Sequence, residues 1–431
     1  MRLRLTGPNV KIKSSTLYIS LAYGMLIAFM LGPTLSYRVG IPRIDNPMAL
    51  LFILSTIVIF LCEKKGFPKK IIYALLPLSL MSGWGLLHLL ISPISATLFA
   101  DLMLFAILPC FFYMLFLIIS RHPHKLKFIQ TFLFCFTCFI TLPSIIELAT
   151  GFQFVFADEA LSLDTGTLKG LFFNPNNLAT AALCITPAIL FFFQLSGNTT
   201  KSTLTGWALF TLLGAVIFAS ASRTAILLYL LLLIFFLIYR QNGLATVVSL
   251  ASAALILAMI PPSIIQNFLL SLNTNEFLER FSSRLYLFLY DFGSDNSVSY
   301  RQEIYHYFWD NPPFLYTGYG PRNFYEYFGG HLSSSLGFTN PHAFIIELYL
   351  AFGIIALLSF TAYIAVYALT CISAQGLSSK ARFIALFSMI IFLVAGFIPS
   401  TIMRMPFIWL PGFLIFIYVI CNNTQRDKTL E

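Results

Sequence analysis

The chain has 431 residues, 58% of them hydrophobic and only 10% charged, with a formal net charge of +9. A soluble domain carries about a quarter charged residues, so this composition excludes a soluble protein and points to a polytopic membrane protein. The positive balance raises nucleic acid as a partner, and the placement of the charges removes it again.

A membrane helix needs about 20 mostly apolar residues. Twelve such runs are predicted, near 16–35, 46–62, 70–91, 98–120, 126–149, 176–196, 203–220, 222–239, 243–261, 342–371, 380–399 and 404–421. The first is too long for a cleavable signal peptide and lacks a small-residue cleavage pattern. The connections alternate in charge. With the N-terminus taken as cytoplasmic, the cytoplasmic set is residues 1–15, "CEKKGFPKK", "RHPHKLK", "SGNTTKST", "YRQNG", "SAQGLSSKAR" and the C-terminal tail. These hold 17 of the 26 Lys and Arg and three of the 17 acids. That is the positive-inside pattern: the basic residues face lipid headgroups, both termini are cytoplasmic, and no nucleic acid is implied. The seven cysteines read as small hydrophobes, since none has the spacing of a metal site.

The expected organisation is transmembrane helices 1–9 over residues 1–261, a large outer loop over 262–341, and helices 10–12 with a tail over 342–431. A second outer connection spans 150–173. Long polar segments between otherwise short loops are usually functional, so the work is expected at the outer face.

In chain order, three outer helix ends carry polar marks. "GLFFNPNN" opens the sixth run with Asn174, Asn176 and Asn177; "SASRTA" opens the eighth with Ser222 and Arg223; "NPHAFIIELYLAF" opens the tenth with Asn340, His342 and Glu347. Helix N-termini present unpaired N–H groups and favour anions. Each mark also has an ordinary explanation: Asn and Ser cap helices, and a lone Arg can be a snorkelling anchor. Asp101, Glu147 and Glu347 fall within apolar runs, where ionisable groups are expensive. Glu347 is five residues past His342, so no His–Glu dyad is expected. In the large loop, "SVSYRQEIYHYFWDNPP" predicts a helix stopped by Asn311-Pro312-Pro313. Arg301, Tyr305 and Phe308 share one stripe of it, suited to a membrane interface. "YTGYGPRNF" follows, with Gly318 and Gly320 for a tight turn and then Arg322.

These four motifs, in this order over residues 170–357, resemble the O-antigen ligase and polymerase family, which includes enzymes of teichuronic acid and exopolysaccharide assembly. Members often have Asn directly after the histidine, where this chain has Ala343. The resemblance implies an all-α, GT-C-like membrane glycosyltransferase in the bacterial cytoplasmic membrane, acting at its outer face. It implies an undecaprenyl-diphosphate-linked glycan as donor, a glycan or lipid A core as acceptor, inversion at the anomeric carbon, and a polysaccharide chain-length regulator as a further partner.

On that reading His342 is the base for the acceptor hydroxyl. Arg223, Arg301 and Arg322 are suited to a diphosphate, and Asn174, Asn176, Ser222, Asn340 and Glu347 support the site. No Asp-x-Asp or metal-ligand cluster is present, so no metal or other cofactor is expected. A lipid-glycan flippase and a non-catalytic scaffold are the alternatives. The flippase is disfavoured because the polar residues gather at one face rather than at the midplane.

Overall fold

The protein is described from a computed structural model over residues 14–40, 44–62, 69–91, 96–154, 168–172, 174–195, 200–240, 251, 261–271, 279, 282–283, 286, 290, 296–320, 341–399 and 402–430. Every regular element among the described residues is helical. In order they are α1 (Ser14–Val39), α2 (Asp45–Cys62), α3 (Lys69–Ile91), α4 (Ala96–Arg121), α5 (Lys125–Thr150), α6 (Pro175–Leu195), α7 (Thr200–Ala219), α8 (Arg223–Arg240), α9 (Pro262–Ser271), α10 (Asn296–Asp310), α11 (Phe344–Ile372), α12 (Ser379–Ala395) and α13 (Pro406–Leu430), with a short 3-10 turn at Ile402–Arg404 before the last. Each predicted apolar run except the ninth falls on one of these helices; the ninth, 243–261, lies mostly outside the described residues. Among the described residues, six helices are long and apolar enough to cross a membrane, and four further apolar helices are shorter. That is the pattern of a multi-pass membrane protein.

α6 is the centre of the bundle. Over Pro175–Phe193, 94% of it is buried, against 28% for α2 at the periphery. It packs on α5, α7, α12 and α13. A cluster of aromatic rings locks α11 and α12 to α13: Trp409 meets Phe344 at 5.7 Å and Phe360 at 6.0 Å on α11, and Phe392 at 4.8 Å on α12, between ring centroids. Such edge-to-face pairs add to the burial itself. The outward faces are apolar. Leu54, Val58 and Leu61 of α2 and Tyr73, Leu76 and Leu80 of α3 are all exposed, as lipid contact would require.

Short links make consecutive helices antiparallel. The start of α6, the end of α7, the start of α8, the end of α12 and the start of α11 therefore gather at one end of the bundle. The contacts agree: Phe344 N–H donates to the Gly396 carbonyl at 2.8 Å, and Phe172 meets Phe407 ring to ring at 5.2 Å. This end carries the residues the sequence analysis singled out.

α11 is two helices in line. Gly353 sits inside it with φ 71° and ψ −166°, which breaks the backbone ladder and would leave polar groups bare within the bundle. The turn at residues 314–320 repairs the break. Tyr319 and Gly320 N–H groups donate to the Leu350 and Ala351 carbonyls at 2.7 and 3.1 Å, and Ile354 N–H donates to the Leu315 carbonyl at 2.8 Å. From α3, Trp84 Nε1 donates to the Phe352 carbonyl at 2.8 Å. The large loop is thus anchored into the helix that follows His342.

Candidate active site

His342 stands one residue before the cap of α11. Its φ is 46°, and Ala221 (φ 54°) shares this left-handed backbone; they are the two such non-glycine residues among the described residues. The conformation is sparsely populated for residues with a Cβ, and both instances fall in the sequence motifs. The link around His342 is held at three points. Pro341 offers its carbonyl to Tyr305 Oη at 3.0 Å. The Ile398 backbone hydrogen-bonds the imidazole, and Gly396 accepts from Phe344. Ala343 is the cap residue, provides no side-chain bond and is fully buried. Ala343 offers no side-chain bond to the ring, and the Ile398 backbone holds it instead.

α10 delivers Arg301 to this link. Its inner stripe is Arg301, Ile304, Tyr305 and Phe308; Ile304 and Phe308 belong to the bundle core, whereas Trp309 is 86% exposed. This corrects the sequence expectation of an interfacial stripe: periodicity identified the apolar face, and protein rather than lipid covers it. The Arg301 guanidinium is close enough to act electrostatically on both Tyr305 and His342. Burial, and then Arg301, push the His342 imidazole down to about 4, against the opposing bond to Ile398. Burial raises the Tyr305 phenol, and Arg301 partly offsets it. His342 is therefore neutral at neutral pH, with a positive charge beside it.

The α7–α8 link "SASRTA" is a compact turn. Ser220 Oγ donates to the Ile217 carbonyl at 2.7 Å and accepts from Ser222 N–H at 3.4 Å. Ile226 N–H donates to the Ser222 carbonyl at 2.9 Å, so Ser222 begins α8 and Arg223 occupies its first turn, half-buried. At α6, Asn174 Oδ1 accepts from Asn177 N–H at 2.8 Å, an N-cap; Asn176 is half-buried. Glu347, in the first turn of α11, is buried. The structure brings His342, Arg301 and Tyr305 together, with Arg223, Ser222, Asn174 and Asn176 at the same end of the bundle. Arg322 and Asn340 lie outside the described residues. Asp101 is in α4, where its side chain is not described.

One residue went unnoticed in the sequence. Lys169 is buried, with 2% of its surface exposed. Glu147 at the end of α5 interacts with it electrostatically and accepts the backbone N–H groups of Lys169 at 3.3 Å and Gly170 at 2.5 Å. The carboxylate thus pins the strand of chain that enters α6. Gly170 has φ 56°, a left-handed backbone that favours glycine, and a Cβ there would lie 2.7 Å from Ser144 Oγ. A lone Lys in a loop gives no sign that it is buried; the carboxylate 22 residues earlier in an apolar run was the available signal.

Residues 208–361 match the family described as O-antigen ligase. That stretch of the chain is similar to the O-antigen ligase family. The matched stretch runs from α7 through the large loop into α11 beyond Gly353, and contains Ser222, Arg223, Arg301, Arg322, Asn340, His342 and Glu347. Asn174 and Asn176 precede it. No curated protein matches the chain. The matched stretch therefore holds both left-handed non-glycine residues, the break in α11 and the turn that fills it.

Proposed function

We propose that this protein is a metal-independent, inverting glycosyltransferase at the outer face of the bacterial cytoplasmic membrane. It moves a glycan from undecaprenyl diphosphate to an acceptor hydroxyl in surface polysaccharide assembly. The single observation that carries the reading is the pairing of His342 with Arg301, inside a matched ligase domain and at one end of an apolar bundle. In the proposed step the acceptor oxygen attacks the anomeric carbon and its proton passes to His342. The bond from that carbon to the diphosphate oxygen breaks, and the lipid diphosphate departs. Arg301, with Arg223 and Arg322, takes up the developing negative charge, as planar guanidinium groups do well.

The low pKa of His342 fits this order of events. A resting imidazole near 4 is neutral but a weak base. Diphosphate arriving at Arg301 offsets the guanidinium field and makes the imidazole more basic when the acceptor must lose its proton.

The test uses purified protein in nanodiscs, an undecaprenyl-diphosphate-linked repeat unit, and chelator. Release of undecaprenyl diphosphate with a lengthened glycan, lost in His342→Ala, is the expected result for a polymerase. Release only when lipid A core is added identifies a ligase. No release from the native donor with either acceptor overturns the enzyme reading and leaves flipping or scaffolding.

A further inference from the structure

Two of the basic connections converge at the opposite end of the bundle from His342. Lys125 and Lys127 begin α5, Lys201 lies in the first turn of α7, and all three line one open groove of about 910 Å³. The floor is closed by Gln130, whose Nε2 donates to the Phe192 carbonyl at 3.1 Å, and by Tyr418 of α13. No acidic side chain lines the groove among the described residues. The helix starts add to the positive charge. His124, the cap of α5, makes no side-chain capping bond, so the first N–H groups of α5 have no side-chain acceptor there.

The groove is also amphipathic. Phe134 lines it and is 45% exposed. Further along the exposed side of α5, Leu142 and Ile145 are 56% and 42% exposed. An ordinary surface anion would need only the lysines. An anionic groove-filler with an acyl tail would use both the lysines and this stripe.

We propose that this groove is a binding site for an anionic membrane phospholipid, its phosphate headgroup among Lys125, Lys127 and Lys201 and its acyl chains along the outward face of α5. Basic pockets between membrane helices recognise anionic headgroups by this chemistry. The inference rests on the chain spanning a membrane and is independent of the glycosyltransferase reading.

The experiment titrates delipidated full-length protein in detergent with phosphatidylglycerol, phosphatidylcholine or inorganic pyrophosphate, reading thermal unfolding and lipid retained in native mass spectra. Phosphatidylglycerol is expected to stabilise and co-purify, and Lys125→Gln/Lys127→Gln/Lys201→Gln to weaken it about 100-fold. Lys127→Gln alone, at an exposed position, is expected to weaken it about fivefold, which keeps the test open if the triple variant does not fold. Lys380→Gln/Arg382→Gln, in another basic connection, should leave it unchanged. Equal binding of phosphatidylcholine, equal protection by pyrophosphate, or equal loss in the Lys380/Arg382 variant would each overturn the proposal.

Discussion

Gly318 packs on the backbone just before Gly353, and Gly353 packs on the backbone just before Gly318. A Cβ on Gly318 would lie 2.4 Å from the Leu350 carbonyl oxygen, and one on Gly353 would lie 2.4 Å from the Tyr316 carbonyl. Both contacts are with backbone, which cannot swing aside, and both glycines have φ above 60°. Gly353→Ala and Gly318→Ala should therefore each lower stability by about 2 kcal/mol or more, from the left-handed backbone and the clash together. The two share one interface, so the double variant should lose less than the sum of the singles. Thermal unfolding of the three variants in one detergent checks this; additive losses would mean that the turn and the break are not coupled.

The break also shows where the sequence is silent. "FIIELYLAFGIIALL" is apolar on both sides of Gly353, so hydropathy reads one continuous helix. A lone glycine in an apolar run costs a helix only about 1 kcal/mol, too little to announce a break. The helix itself was legible, as were the Asn174 cap, the stop after Asp310 and the tight turn at Gly318, because each depends on local chemistry. What depends on distant partners was not legible: the burial of Lys169, the face that α10 presents to the bundle, and the left-handed backbone at His342. The site residues were found as separate marks on separate segments; only folding puts Arg301 beside His342.

Glu147 and Lys169 form a buried unit at the entrance to α6. Glu147→Ala removes the carboxylate that acts electrostatically on buried Lys169 and leaves two backbone N–H groups without that acceptor. A loss of about 3 kcal/mol is expected. Adding Lys169→Met should recover part of it, because the uncompensated charge is then gone. Chemical unfolding of the two variants decides; no recovery in the double variant would assign the loss to the backbone N–H groups alone.

Arg301 and Arg223 are predicted to act through guanidinium geometry. Lys keeps the charge but lacks the planar fork. Arg301→Lys and Arg223→Lys should each lower kcat/KM by about tenfold to a hundredfold, the equivalent of one to two charge-assisted hydrogen bonds. The native fold should persist in both, as seen in the elution profile and unfolding midpoint. Full activity in both variants would remove the diphosphate role from these residues.

The pH profile tests the pairing of Arg301 with His342 most directly. Activity that needs neutral His342 should hold as pH falls and drop only near pH 4, where the free enzyme's imidazole takes a proton. In Arg301→Gln the repulsion is gone while burial remains. The imidazole then rises toward its ordinary value without reaching it, and the acid limb of kcat/KM should move to higher pH. Stability follows the same sign. The unfolded imidazole protonates near 6.5 and the folded one near 4, so the unfolded state binds the extra proton between those values. The wild type should therefore lose stability as pH falls from about 6.5 toward 4, Arg301→Gln should lose less over that window, and His342→Asn should lack this component. The kcat/KM profiles of the wild type and Arg301→Gln must shift together with their unfolding midpoints, and His342→Asn is the control for the midpoint alone. An acid limb that stays in place in Arg301→Gln would separate the guanidinium from the base and leave His342 to be poised by burial alone.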